Sequence, residues 1–307
     1  MPGPRDPRSS ISRRASLLRA ALRLEKRLLG KRQRPMTQVR KRLELLSPFV
    51  PGWRNYTQMT PVDAGGVPGM LAAVAHSRAE SCVLYFHGGG YSIGTAALYR
   101  DFLWRIAGAT RAQVLFFDYR LAPEHPFPAA LDDAVAAYRW LIARFDRRHV
   151  AFAGDSAGGG LVFAALLRLR DEGVELPCAA AALSPWTDLA LTGASMRSNA
   201  VADPMLDPDN LPELVRNYCA AADPRNPYIS PVYGDPAGLP PALIQVGSDE
   251  ILRDDAVRMA DRMRAAGCEA EVEIWQQMPH VWHLYARLVP EGRRALARIG
   301  EFLQERM

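Results

Sequence analysis

From about residue 80 onward, short apolar runs alternate with longer stretches of helical periodicity, and this rhythm restricts the possible folds more than any other feature of the chain. The runs "CVLYF" (82–86), "VLFF" (114–117), "VAFA" (150–153), "AAAAL" (179–183) and "ALIQV" (242–246) are almost wholly apolar. Each therefore reads as a strand buried on both faces. The run "EVEIW" (271–275) alternates polar and apolar residues, which puts it nearer a sheet edge. Between them, "DDAVAAYRWLIARF" opens with acids and "GGLVFAALLRLRDEG" ends in Gly173, as helix termini prefer. Strand–helix–strand repetition predicts an α/β fold with a mostly parallel central sheet and helices on both faces.

Two pieces stand outside this rhythm. Residues 187–232 are rich in Pro, Asp and Asn and would make a very long loop, so they read as a small helical excursion. The other piece is the N-terminal arm. The first fifty residues hold 14 Lys plus Arg against 3 Asp plus Glu, a local balance of +11; with +5 overall, the remainder carries −6. The arm has leucines at Leu18, Leu22 and Leu29 and should be partly amphipathic. A helix covering the body of its own protein is the first reading, contact with an anionic membrane surface the second, and nucleic-acid binding the last, since aromatics for stacking are few. Together the two pieces (1–55 and 187–232) would form a helical cap on a catalytic body (56–186 and 233–307). The basic start is not followed by an uninterrupted apolar stretch, as a secretory signal requires, although the arm's composition is compatible with a transit peptide.

The body carries chemistry at "VAFAGDSAGGGLVFAALL", a strand, tight turn and helix with Ser156 at the turn. Gly154 and Gly158 complete a G-x-S-x-G pattern, whose glycines let neighbouring backbone pass close to a strained serine. The rival is a plain turn serine, which the strand–turn–helix context disfavours. Upstream, "YFHGGGYSIG" follows a strand, and its glycines leave amides free to converge on one oxygen. Amides of this glycine run, together with that of Ala157 after the serine, are what an oxyanion hole requires. A phosphate loop is excluded because neither GxxxxGK[ST] nor GxGxxG is matched. His87 reads as a structural histidine. Tyr91 is expected at the acyl pocket, with Asp155 beside it at the substrate pocket. Trp53, Tyr56 and Tyr218 are expected on a cap-side wall.

A base should lie late in the chain, and "WQQMPHVWHLY" offers His280 on a loop and His283 in the following helix. The pair has no acidic or Cys companion at metal-ligand spacing, so no metal is expected. The acid should follow another strand, where "ALIQVGSDEILRDDA" places Asp249 beside Glu250. One of them can hold the imidazole tautomer, and the residues alone leave a near tie.

Taken together, "HGGG", "YRLAPEHPFPAALDD" and "GDSAGG" resemble the hormone-sensitive-lipase-like esterases of the α/β-hydrolase superfamily, from about residue 80 to the C-terminus. The resemblance implies a carboxylester hydrolase without cofactor, with a Ser–acid–His triad and a helical cap. Its usual acid motif, D-P-L-x-D, falls on "EILRD" (250–254), which favours Glu250 with Asp249 as the alternative. It carries the base to His280 and the oxyanion donors to Gly89, Gly90 and Ala157, and it implies short- to medium-chain acyl substrates. Arg120, Glu124 and Asp132 read as parts of a structural turn and helix start. The rival reading is a non-catalytic small-molecule-binding protein on the same fold; the plant gibberellin receptors resemble this family but lack the working histidine, which is present here.

Cys82, Cys178, Cys219 and Cys268 show no metal spacing and no dense disulfide framework, which points to reduced thiols and a cytoplasmic setting. The expected partner is a small-molecule ester, with no nucleic acid; peripheral membrane contact through the arm and a homodimer are both compatible with the sequence.

Overall fold

The computed structural model of the chain describes residues 11–29, 36–46 and 58–307. Trp53 and Tyr56 lie outside the described residues, as do the side chain of Leu29 and much of the segment 1–55.

Eight strands form one sheet: β1 (Gln58–Asp63), β2 (Pro68–Ala73), β3 (Arg78–Phe86), β4 (Ala112–Phe117), β5 (Val150–Asp155), β6 (Ala179–Leu183), β7 (Ala242–Gly247) and β8 (Ala270–Trp275). Their order is β1-β2-β4-β3-β5-β6-β7-β8. The six strands read from the sequence are all present and run parallel, with β8 at the edge as its alternation implied. The first two were not read. They pair antiparallel with each other and with β4. Pro61, Pro68 and Gly69 weaken their strand signal, and β1 is a mostly exposed edge, where a proline's missing donor is tolerated.

The central strands are apolar because both of their faces are covered. On one face, α4 (Ala129–Ile142), α5 (Ala157–Asp171) and α8 (Arg253–Ala265) pack on Leu84, Phe86, Phe152 and Ile244. On the other, α3 (Ala96–Thr110) and α9 (Pro290–Gln304) cover Val83, Tyr85, Phe116 and Leu243. Each such large side chain contributes roughly 1.5–3 kcal/mol on leaving water, so a strand bearing them on both faces holds only between two helical layers.

The segment 187–232 is a helical excursion, with α6 (Ser195–Ser198) and α7 (Leu211–Cys219). Ahead of the sheet lie α1 (Arg13–Leu29) and α2 (Met36–Leu46). Ser12 starts α1: its hydroxyl accepts from the Ala15 amide at 3.1 Å, while its own amide and hydroxyl bind the Glu291 carboxylate. The inward stripe of α1, Ala15, Arg19 and Leu22, is buried. Arg19 binds Asp249 and Gln277, and the Lys26 ammonium donates to the carbonyls of Ala200, Asp203 and Leu206. In α2, Arg40 binds the carbonyls of Ser92 and Ala122 and the Glu124 carboxylate. Both helices thus lie over the loops at the C-terminal ends of the strands.

Candidate active site

Strand β5 delivers Ser156 into a sharp turn at φ 53°, ψ −122°, before α5 begins at Ala157. This is the left-handed region that L residues avoid, and it is held by the Ser156 amide donating to the Leu183 carbonyl at 2.9 Å. A side chain at Gly158 would collide with the carbonyls of Phe86 and His87, so only glycine lets α5 start this close to β3. The turn leaves Ser156 immediately before the N-terminus of α5, whose dipole favours negative charge there.

His280 arrives from the loop after β8. Its Nε2 lies 2.9 Å from Ser156 Oγ, and its Nδ1 lies 2.7 Å from Glu250 Oε2. Glu250, on the loop after β7, is fully buried, and its other oxygen accepts from the Gly247 amide at 2.6 Å and the Ser184 hydroxyl at 2.7 Å. The carboxylate fixes the Nδ1–H tautomer, leaving the Nε2 lone pair for the serine proton. Burial opposes the charged imidazolium, but the hydrogen bond and charge of Glu250 outweigh it, and the His280 pKa rises above the ordinary histidine value.

Asp249 takes a different partner. Its carboxylate pairs with Arg19 of α1 and accepts from the Ser248 hydroxyl at 2.8 Å, so the acid in contact with the histidine is Glu250 alone.

The glycine loop follows β3. Gly89 has φ 114° and Gly90 φ 60°, and their amides have no partner among the described residues. With the Ala157 amide at the start of α5, these are the donors available to an oxyanion. Leu214 of α7 roofs the loop: a Cβ on Gly90 would lie 2.8 Å from its Cδ1.

Asp155 does not line a substrate pocket, contrary to the sequence expectation. It is buried, and its carboxylate accepts from Tyr85 Oη at 2.7 Å, Tyr99 Oη at 2.9 Å and the Gly88 amide at 3.0 Å. It anchors the glycine loop from beneath; three donors retain it there although burial raises its pKa. Tyr91 is also buried rather than an open wall. Its ring stacks on Tyr218 of α7 at 3.6 Å, so the pair joins the glycine loop to the helical excursion. His87 stacks on Tyr119 at 4.0 Å with Nδ1 2.8 Å from the Gly88 carbonyl, and burial lowers its pKa to about 4. His283 is buried in a short 3-10 turn against Gln245, at 2.8 Å. Arg120 and Glu124 are held in ion pairs with Asp133 and Arg40, and Asp132 pairs with Arg168.

Sequence reasoning missed the residues that brace the acid loop. Ser184 carries both Glu250 and the Val281 amide. Asn199 donates to the carbonyls of Ser248 and Glu250, at 3.0 and 2.8 Å, and the Asp203 carboxylate accepts from the Ile251 amide at 3.0 Å. The one sequence signal available was the density of Asn and Asp in an excursion otherwise free to be apolar.

A serine, an imidazole and a carboxylate in hydrogen-bonded line beside a glycine loop, at the C-terminal edge of a mostly parallel sheet, define the class of serine hydrolases built on an α/β sheet. Residues 83–284 match the model of an α/β-hydrolase-fold family. An acetyl-hydrolase of Streptomyces hygroscopicus is 45% identical over 250 residues, covering 78% of this chain and 84% of its own. An esterase of Acinetobacter venetianus is 33% identical over 80% of this chain and 81% of its own. Among solved structures, an esterase of the bacterial hormone-sensitive lipase family superposes with a TM-score of 0.91 at 41% identity, covering 97% of this chain and 99% of that one. The esterase EstE5, in a crystal soaked with p-nitrophenyl butyrate, gives 0.91 at 39% identity over 96% and 99%. The chain belongs to the α/β-hydrolase family, in its hormone-sensitive-lipase-like branch, and is an enzyme of the serine esterase type.

Proposed function

We propose that the chain hydrolyses carboxylic esters of short to medium acyl chains, with Ser156 as nucleophile, His280 as general base and acid, and Glu250 as the residue that orients it. The observation that carries this reading is the unbroken line from Ser156 Oγ through His280 to Glu250, with hydrogen bonds of 2.9 and 2.7 Å. His280 Nε2 takes the Ser156 proton as Oγ attacks the ester carbonyl carbon. The carbonyl oxygen becomes an oxyanion on the amides of Gly89, Gly90 and Ala157. Collapse breaks the bond to the alkoxy oxygen, and the alcohol leaves with the proton from His280. Water then gives a proton to His280 and attacks the acyl-enzyme; the second collapse returns the proton to Ser156 and releases the acid.

The short-to-medium range rests on the roof over the oxyanion loop. Leu214 lies over Gly90, the stacked Tyr91–Tyr218 pair ties the next residue of the loop to α7, and α7 belongs to the proposed cap of 1–55 and 187–232. The small probe ester soaked into EstE5 supports the same range. The proposal includes a reducing, cytoplasmic setting, supported by four free cysteines, and peripheral contact with a membrane surface.

The test is hydrolysis of p-nitrophenyl esters from acetate to palmitate by wild type and Ser156→Ala. Loss of activity by several orders of magnitude in the variant, with wild-type preference for the shorter esters, is the expected outcome. Retained activity in Ser156→Ala would overturn the assignment. Leu214→Ala should move the optimum toward longer acyl chains, by about tenfold in kcat/KM for an ester one or two methylenes beyond the wild-type best.

A further inference from the structure

The outward face of α1 is apolar and has no packing partner among the described residues. Leu17, Leu24 and Leu28 are 71%, 58% and 69% exposed, with Ala20 and Ala21 exposed between them. At 100° per residue these five share one stripe, and from Leu17 to Leu28 it runs roughly 16 Å. Arg13, Arg14, Arg23 and Arg27 are exposed at its end and flank, against Glu25 alone among exposed acids of the helix. Val201, 95% exposed, sits on the loop that Arg23 and Lys26 hold beside the helix. The helix is not left exposed for want of a buried face, since Ala15, Arg19 and Leu22 already bind it to the body.

We infer that this face is an interfacial docking surface for an anionic lipid bilayer. A short leucine stripe bordered by arginines suits the boundary between acyl chains and negatively charged headgroups: the leucines enter the apolar layer while the guanidiniums reach the phosphates. The same pattern disfavours a second copy of the chain, because a two-fold contact along this stripe would set its arginines against their own images. Among the described residues no helix is long and apolar enough to cross a membrane, so the contact is one of lying on the surface. Arg19 fastens α1 to Asp249 and Gln277, on the loops that also carry Glu250 and His280. The docking face therefore lies at the same end of the molecule as the candidate site, which brings lipid-dissolved esters to it. The inference rests on the peripheral membrane contact proposed above, to which it gives a surface and a lipid class, and it does not depend on the esterase chemistry.

Flotation of the full chain with vesicles tests it, using phosphatidylcholine mixed with phosphatidylglycerol beside phosphatidylcholine alone. The chain should float with the anionic vesicles, at least about tenfold more than with the neutral ones, and high salt should release it. Replacing Leu17, Leu24 and Leu28 together by Ser should reduce binding by about tenfold or more, while hydrolysis of soluble p-nitrophenyl acetate stays unchanged. Replacing Arg13, Arg14 and Arg27 by Gln should remove the preference for anionic vesicles. The inference is overturned if wild type floats with neither vesicle, or if the leucine variant floats as wild type does. It is also overturned if wild type self-associates in light scattering and the leucine substitutions abolish that association instead. Activity toward p-nitrophenyl acetate, read in parallel, separates failure of the docking surface from failure of the esterase assignment.

Discussion

Asp249 and Glu250 are neighbouring carboxylates whose roles are divided by direction alone. Glu250 turns inward to His280, the Gly247 amide and the Ser184 hydroxyl, while Asp249 turns outward to Arg19. Glu250→Gln keeps the shape and removes the charge, so kcat should fall by roughly three to four orders of magnitude. The pH profile gives a second reading. Wild-type kcat/KM should fall as pH drops through a value above about 6.5, because the neutral imidazole is the working base and its pKa is raised. In Glu250→Gln, burial is left to act without its counterweight, and that limb should move to lower pH; a limb that stays in place would show that Glu250 does not set the His280 titration. Ser156 and His280 were legible in the sequence because local pattern announces them. The choice between two adjacent acids was not, since it depends on which way a loop turns after β7, and that is decided by Ser184 and Arg19 from distant parts of the chain. Asp155 was misread for the same reason: its neighbour Ser156 faces the site, whereas its own carboxylate is taken by Tyr85 and Tyr99 beneath it.

Among the elements, the strands buried on both faces were readable because continuous apolar runs have few other uses, whereas β1 and β2 were hidden by prolines and by an exposed edge. The helix α1 was legible as an amphipathic helix covering the body, but the loops it meets were not, because Arg19 reaches residues more than two hundred positions away. Through Arg19 the helix ties the acid loop at Asp249 to the histidine loop at Gln277, and the Ser248 hydroxyl closes the same junction by accepting from the Gln277 amide at 2.9 Å. Arg19→Ala should therefore lower kcat by about ten- to a hundredfold with little change in KM, since misplacing the base acts on the reacting geometry rather than on substrate affinity. Steady-state kinetics with p-nitrophenyl butyrate checks this, and Arg19→Lys should recover part of the loss through the retained charge. A rise in KM at constant kcat would show instead that α1 only shapes the pocket.

At the level of the molecule, two histidines are buried without charge. Burial lowers the His87 pKa to about 4 and holds that of His283 well below its usual value, beside the positive charge His280 can acquire. An unfolded chain protonates both near pH 6.5, so their contribution to stability is complete above that pH and declines as pH falls; for His87 the loss by pH 4 is roughly 3 kcal/mol. His280 acts in the opposite sense, its raised pKa favouring the fold below about pH 6.5 and the benefit fading as pH rises through the folded value. The His280 benefit is already complete below about pH 6.5, so between that pH and pH 4 the two lowered histidines pull the urea midpoint down, while the raised carboxyls of Asp118, Asp155 and Asp255 pull it up as they take protons in the folded chain. His87→Gln should remove roughly 3 kcal/mol of the stability lost between about pH 6.5 and pH 4 in urea unfolding, and a variant with the wild-type pH dependence would contradict the burial of neutral His87.

The bracing of the acid loop by the helical excursion limits how this scaffold can be recombined. Asn199 and Asp203 hold the backbone of Ser248, Glu250 and Ile251, while Ser195 binds the Ile251 carbonyl at 2.6 Å and the Asp254 amide at 3.0 Å. A chimera that imports residues 187–232 from a relative to change substrate range would also exchange the mounting of its own catalytic acid. The smallest transplantable unit is therefore the excursion together with residues 247–255, and only grafts that carry both should keep turnover while changing selectivity.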